Sequence, residues 1–254
     1  MLVILLIAVV VGAIVGAVGA AANRVKTGDE FLLWVIGGTI GGGLAVLGWT
    51  GILLSIGALF GLDASIATTA TTGLIIFGVA ALLGAALGAL LDGTDNPAAW
   101  LFSFLIKWVQ SPLLTTAGLI ATLIVATGRS KVDFRRGMVF IAVGPGRAAL
   151  TLGAVAWTQS SCFNTDGTMP DDLARHESVH SRTVAAIGEL GFYVTYVAIG
   201  AIWGLAQGGS WNNLNAGGCG NPFEKTAHTF TGDPAAPRSA SDCKHQRVTA
   251  TRRL

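Results

Sequence analysis

The sequence predicts a multi-pass α-helical membrane region followed by a small α+β domain, and three observations carry that prediction. Composition is the first: of 254 residues, 52% are hydrophobic and only 12% charged, with 35 Gly. The mean hydropathy is +0.64, and a soluble domain carries about twice that share of charged residues. The second observation is how unevenly the charges fall. Up to residue 127 the ionisable side chains are Arg24, Lys26, Asp29, Glu30, Asp63, Asp92, Asp95 and Lys107, and nearly all punctuate apolar runs. From Gly128 onward come most of the Arg, all four His and all three Cys. Third, the long apolar segments give way after residue 128 to short β-type runs and a polar helix. The expected division is a glycine-zipper membrane region over residues 1–127 with about four spans, a folded domain over 128–232, and a polar, basic tail over 233–254.

Residues 1–22 are an uninterrupted apolar run of the length that crosses a hydrocarbon core. A cleaved signal peptide is the rival, but the basic n-region is missing. Gly12, Gly16 and Gly19 or Ala20 follow the small-xxx-small spacing that lets helix backbones approach in lipid. Residues 31–61 repeat the theme with Gly37, Gly41 and Gly48; at that length they form either one tilted helix or a hairpin turning near residues 48–51. Residues 66–91 make a third segment with Gly73, Gly84 and Gly88, ended by the turn-like Asp92-Gly93-Thr94-Asp95-Asn96-Pro97. Residues 98–127 make a fourth, interrupted by Lys107 and by Ser111-Pro112. The basic cluster Arg129, Lys131, Arg135, Arg136 and the pair Arg24, Lys26 both favour the cytoplasmic side. Four single spans cannot place both there, because three crossings would separate them.

Beyond the basic cluster, residues 138–143 predict a strand, Gly144-Pro145-Gly146 a turn and residues 148–158 a second strand, together a β-hairpin. Pro170-Asp171-Asp172 predicts a helix start, with Pro ahead of two acids that complement the N-terminal dipole. Residues 187–205 form a further apolar stretch, suited to the domain core or to dipping into a bilayer. The tail suits solvent or anionic headgroups. Cys162, Cys219 and Cys243 form no CxxC pair, so one disulfide with a leftover thiol and three reduced thiols both fit.

The most informative feature is His176-Glu177-Ser178-Val179-His180. Residues four apart share a helix face, so His176 and His180 can bind one zinc while Glu177 sits beside its water. With four His and four Glu in the chain, chance would place an HExxH somewhere about once in a thousand shuffles. A catalytic zinc needs a third protein ligand and an open position. Thr183 and Ala186 exclude the extended HExxHxxGxxH form. Glu189 follows His180 too closely to fold back onto the metal. Glu224 is the better third ligand, placed by Asn221-Pro222 in the first turn of an expected helix, with His228 at i+4 as the alternative or as an oxyanion donor. Tyr193 and Tyr196 are further donors, or core residues. Glu177 is the expected general base. A purely structural zinc site would normally recruit Cys, and none adjoins the motif.

The runs Ala149-Leu150-Thr151-Leu152-Gly153-Ala154-Val155, Met169-Pro170, Arg175 through Ser181, and Asn221 through Ala227 resemble the gluzincin-type metallopeptidase domains found at the C-terminal ends of bacterial polymorphic-toxin and other secreted proteins. The resemblance covers about 85 residues, and the glycine-zippered front half is loosely similar to the membrane regions that precede such domains. It implies a zincin-like fold in which a TLGN-type hairpin precedes the HExxH helix, with zinc on His176, His180 and Glu224 and with Glu177 as base. Ala154 stands where the family often has Asn, and Thr183 where Gln often follows the motif. The expected function is membrane-bound, zinc-dependent peptide hydrolysis by an integral membrane protein, its partners being the bilayer, a polypeptide substrate and other membrane helices packed through the glycine zippers. The alternatives are a membrane-inserting effector and a structural membrane subunit with a degenerate zinc site. A net charge of +2 and the lack of an aromatic-interleaved basic patch exclude nucleic acid as partner.

Overall fold

A computed structural model describes residues 1–23, 25, 28–63, 65–94, 96–125, 131–143, 150–199, 202, 223 and 227. The apolar runs become long helices: α1 (Leu2–Ala22), α2 (Gly28–Leu59) and α3 (Ile66–Leu91). Each is long and apolar enough to cross a membrane. The α2 helix continues through residues 48–51, so the hairpin alternative is not realised. Glycine costs a helix only about 1 kcal/mol, and Thr50 satisfies its hydroxyl on the Val46 carbonyl within the helix.

The small residues are where backbones meet. A Cβ on Gly12 would overlap the Gly38 carbonyl of α2, and one on Gly16 the Trp34 carbonyl, so α1 and α2 lie in direct backbone contact. Gly73 of α3 rests on Trp49 of α2.

The fourth expected segment is two helices, α4 (Pro97–Gln110) and α5 (Pro112–Val125), whose axes differ by 115°. Pro112 pushes the preceding Ser111 out of helical geometry, to φ −137° and ψ 61°, as a residue before proline requires. Among the described residues, the helices long and apolar enough to cross a membrane are therefore three, or four if the bent pair is counted as one. Lys107 is accommodated by a buried ionic cluster. Its Nζ donates to Asp92 Oδ1 at 2.8 Å and to the Arg136 carbonyl at 2.6 Å. Ser103 Oγ also donates to Asp92, at 2.6 Å.

A four-stranded sheet follows: β1 (Val132–Arg135), β2 (Met138–Ala142), β3 (Leu150–Leu152) and β4 (Val155–Thr158), in the order β1-β2-β4-β3. The expected pairing is corrected here. β2 forms its hairpin with β1, not with the strand after it, and lies parallel to β4. The turn is Arg136-Gly137, both at positive φ (53° and 60°), the two-residue geometry whose twist matches antiparallel strands. The run 148–158 is likewise broken, at Gly153 (φ 62°), into the β3–β4 hairpin. The basic cluster is thus partly sheet: Arg135 ends β1 and Arg136 makes the turn.

Helix α6 (Asp171–Ile187) starts at Pro170 with Asp171 and Asp172 in its first turn, as expected. It is buried along most of its length, because its C-terminal half is wedged among the long helices: Ala185 against Gly84, Arg182 against Gly88, Ala186 against Gly19 and Ile187 against Gly37 and Gly41. Gly188 (φ 77°) then reverses the chain into α7 (Glu189–Val194) and a π-turn (Thr195–Ile199) that returns along α2, Gly191 meeting Gly41 and Thr195 meeting Gly37.

Candidate metal centre

The HExxH motif occupies the middle of α6, so its two imidazoles are one turn apart on one face. Their Nε2 atoms converge to 3.2 Å, with the rings edge to face at a centroid distance of 4.9 Å. Two nitrogens each about 2.0–2.1 Å from one tetrahedral zinc stand roughly 3.3 Å apart, so this pair has the separation of two ligands on one ion. The same spacing lets one ring donate a hydrogen bond to the other when no metal is bound. His180 is buried, flanked by Phe192 at 6.2 Å and, edge to face, by Tyr196 at 6.0 Å between ring centroids.

Glu177 is also buried, and Thr151 Oγ1 of strand β3 donates to its Oε2 at 2.6 Å. The β3–β4 hairpin is held over the helix by two further bonds. Ser181 Oγ donates to the Gly153 carbonyl at 2.7 Å, and the Tyr193 hydroxyl donates to the Thr151 carbonyl. Thr151 stands in the TLGN-type run and Ser181 at the end of the motif run, but neither is given a role by the sequence. For Thr151 the signal was the alternation around Gly153, which sets it on the helix-facing side of the strand once the turn is placed there.

Glu189 is engaged elsewhere. Its Oε2 accepts from Ser111 Oγ at 2.9 Å and from the Leu114 backbone N–H at 3.2 Å, capping the start of α5. Tyr193 is spent on the hairpin, and Tyr196 belongs to the aromatic group around His180.

Glu224 and His228 lie outside the described residues, as do Cys219 and Cys243. Each of the two former follows by one position a residue that is described and buried, Phe223 and Ala227. Phe223 packs on Phe192 at 5.5 Å and on Tyr196 at 6.1 Å, the rings that also flank His180. Among the described residues, no three His, Cys, Asp or Glu gather into a metal-binding group; of the three ligands the sequence leads one to expect, only His176 and His180 are among the described residues. Cys162 is buried beside the sheet core, in the short 3-10 turn Ser160–Cys162.

No protein-family model, curated protein or solved structure matches the chain.

Proposed function

We propose that the chain is a membrane-embedded zinc metallopeptidase, with His176, His180 and Glu224 as ligands and Glu177 as general base. The observation that carries this reading is the 3.2 Å convergence of the two Nε2 atoms on a helix whose intervening Glu177 is buried and oriented. Zinc held there would polarise a scissile carbonyl and lower the pKa of water toward 7. Thr151 occupies Oε2 of Glu177, which leaves Oε1 to take the water's proton and pass it to the leaving amine. The aromatic set of buried Phe192 and Phe223 with half-buried Tyr196 would keep bulk water from the His180 side of the site. A zincin-like fold and the gluzincin-type resemblance fit the same assignment.

Residence in the bilayer is supported by α1, α2 and α3. The bent pair supports a topology as well: α4 and α5 have 14 residues each, short of the roughly 20 that a crossing needs. Their 115° bend turns α5 back toward the side from which α4 came. With α4–α5 re-entrant, two crossings separate Arg24 and Lys26 from the 129–136 cluster, so both basic regions face the cytoplasm. This topology would remove the conflict that four spans create, and it would put the α6 motif on the cytoplasmic side.

The test separates base from ligand. Glu177→Gln should keep about one zinc per chain and lose at least ~100-fold in peptide hydrolysis, the usual cost of a lost general base. Glu224→Ala should lose or weaken zinc. Full activity in Glu177→Gln would overturn the assignment. Normal zinc in Glu224→Ala with loss in His228→Ala would move the third-ligand role to His228.

A further inference from the structure

Resting on the peptidase reading above, we propose that the substrates are juxtamembrane segments of membrane-anchored polypeptides, because the α6 site stands at the edge of the apolar layer. Depth along α2 locates the site. The apolar stretch of α2 begins at Phe31, and Gly41, ten residues further, is about 15 Å along the helix. Gly41 meets Ile187 and Gly191, the two sides of the Gly188 reversal. The α6–α7 hairpin therefore enters about half the thickness of a ~30 Å hydrocarbon core and comes out again.

A second hairpin meets it there. The α4–α5 break at Ser111 and Pro112 touches the first through the Ser111 and Leu114 bonds to Glu189, and Gln110 Nε2 donates to the Phe77 carbonyl deep in α3 at 2.8 Å. Non-helical backbone at such depth needs a partner within the protein, and Glu189 provides one for the Leu114 N–H at the break. The outer face beyond the reversal is apolar: Leu190, Val194 and Val197 are exposed.

His180 lies seven residues before Ile187, about 10 Å back toward the helix start, which leaves it within about 5 Å of the Phe31 level. His176 is a further turn outward, level with the boundary. Arg182, between the motif and the tip, forms an ion pair with Asp92 at 3.5 Å at the end of α3, where charge can reach the interface. A peptide bond presented at this site is thus one held next to the bilayer surface, while a segment on a distant soluble domain has to be brought down to it.

Two measurements test this in proteoliposomes containing the full chain. The first reads depth without activity. A nitroxide at Leu190→Cys, in a Cys219→Ser, Cys243→Ser background, should be relaxed more by oxygen than by an aqueous nickel chelate, like one at Leu82→Cys and unlike one at Asp172→Cys. Behaviour like the Asp172 label overturns the placement whatever the enzyme does. The second offers a randomised eight-residue segment in two forms, adjacent to a single-span anchor helix or separated from that anchor by a folded spacer about 30 Å across. The adjacent form should be cut at least about tenfold faster, the minimum gain expected from holding the bond at the site, and Glu177→Gln should cut neither. Equal cleavage overturns the substrate class and leaves the peptidase reading standing. Cleavage of neither form by zinc-loaded protein overturns both.

Discussion

At the scale of single residues, the account turns on what holds Glu177. A buried carboxylate needs a partner, and Thr151 provides one from the edge strand of the sheet. Thr151→Val keeps the shape and removes the donor. Hydrolysis should fall about 10- to 100-fold, the rate equivalent of the ~1.5–3 kcal/mol carried by a hydrogen bond to a charged group, while zinc content stays the same. In a Glu177→Gln background the substitution should add almost nothing; an undiminished effect there would mean that Thr151 acts through the fold. The two histidines and Glu177 were legible in the sequence because a five-residue motif on one helix fixes its own geometry. Thr151 was not, since its role depends on a strand turning at Gly153 and on a bond that closes to α6 across 26 residues of chain. The proposed third ligand, Glu224, rests on the sequence alone, picked out by the Asn-Pro start that precedes it, and it lies outside the described residues.

At the scale of elements, the glycines divide by what they touch. Gly12 and Gly16 join α1 to α2, whereas Gly37 and Gly41 of α2 receive the α6–α7 reversal. Spacing alone identifies a small-residue stripe and does not say which helix will fill it. A Cβ at Gly41 would overlap the Ile187 carbonyl oxygen and crowd the Gly191 Cα, both backbone atoms that cannot rotate away. Gly41→Ala should therefore destabilise the protein by about 3 kcal/mol, the upper part of the range for overpacking, and should also weaken zinc binding because it displaces the end of α6. Gly48, with nothing within 4 Å of its would-be Cβ, is the control: Gly48→Ala should be neutral or stabilise by up to ~1 kcal/mol. Thermal unfolding of both variants in detergent checks this, and equal stability would refute the close packing. Helix α3 was legible to the residue, 66–91, since an apolar run bounded by Ser65 and Asp92 leaves little choice. The strands were paired wrongly because Arg136 adopts positive φ, a turn signal that a non-glycine residue rarely gives.

At the scale of the whole molecule, the site and the apolar helices form one packed body. The HExxH helix rests directly on Gly19, Gly41, Gly84 and Gly88 of the three long helices, and the buried Asp92, Lys107 and Arg182 charges tie the ends of α3 and α4 to α6. Removing one member of such a cluster leaves an uncompensated buried charge, which typically costs about 3–5 kcal/mol. The proposed two-crossing topology makes a prediction of sidedness. Lys26→Cys and Lys131→Cys, each in a Cys219→Ser, Cys243→Ser background, should react with an impermeant maleimide from the same face of sealed vesicles; opposite faces would require α4–α5 to cross. The central claim is that His176 and His180 bind one catalytic zinc, and X-ray absorption at the zinc edge of the purified full chain tests it most directly. The account predicts one zinc per chain with two imidazole nitrogens at about 2.0–2.1 Å, the remaining donors oxygen and none of them sulfur, and loss of the metal in His176→Ala. Absence of zinc from protein prepared in metal-replete buffer, a sulfur shell at about 2.3 Å, or an unchanged spectrum in His176→Ala would contradict it.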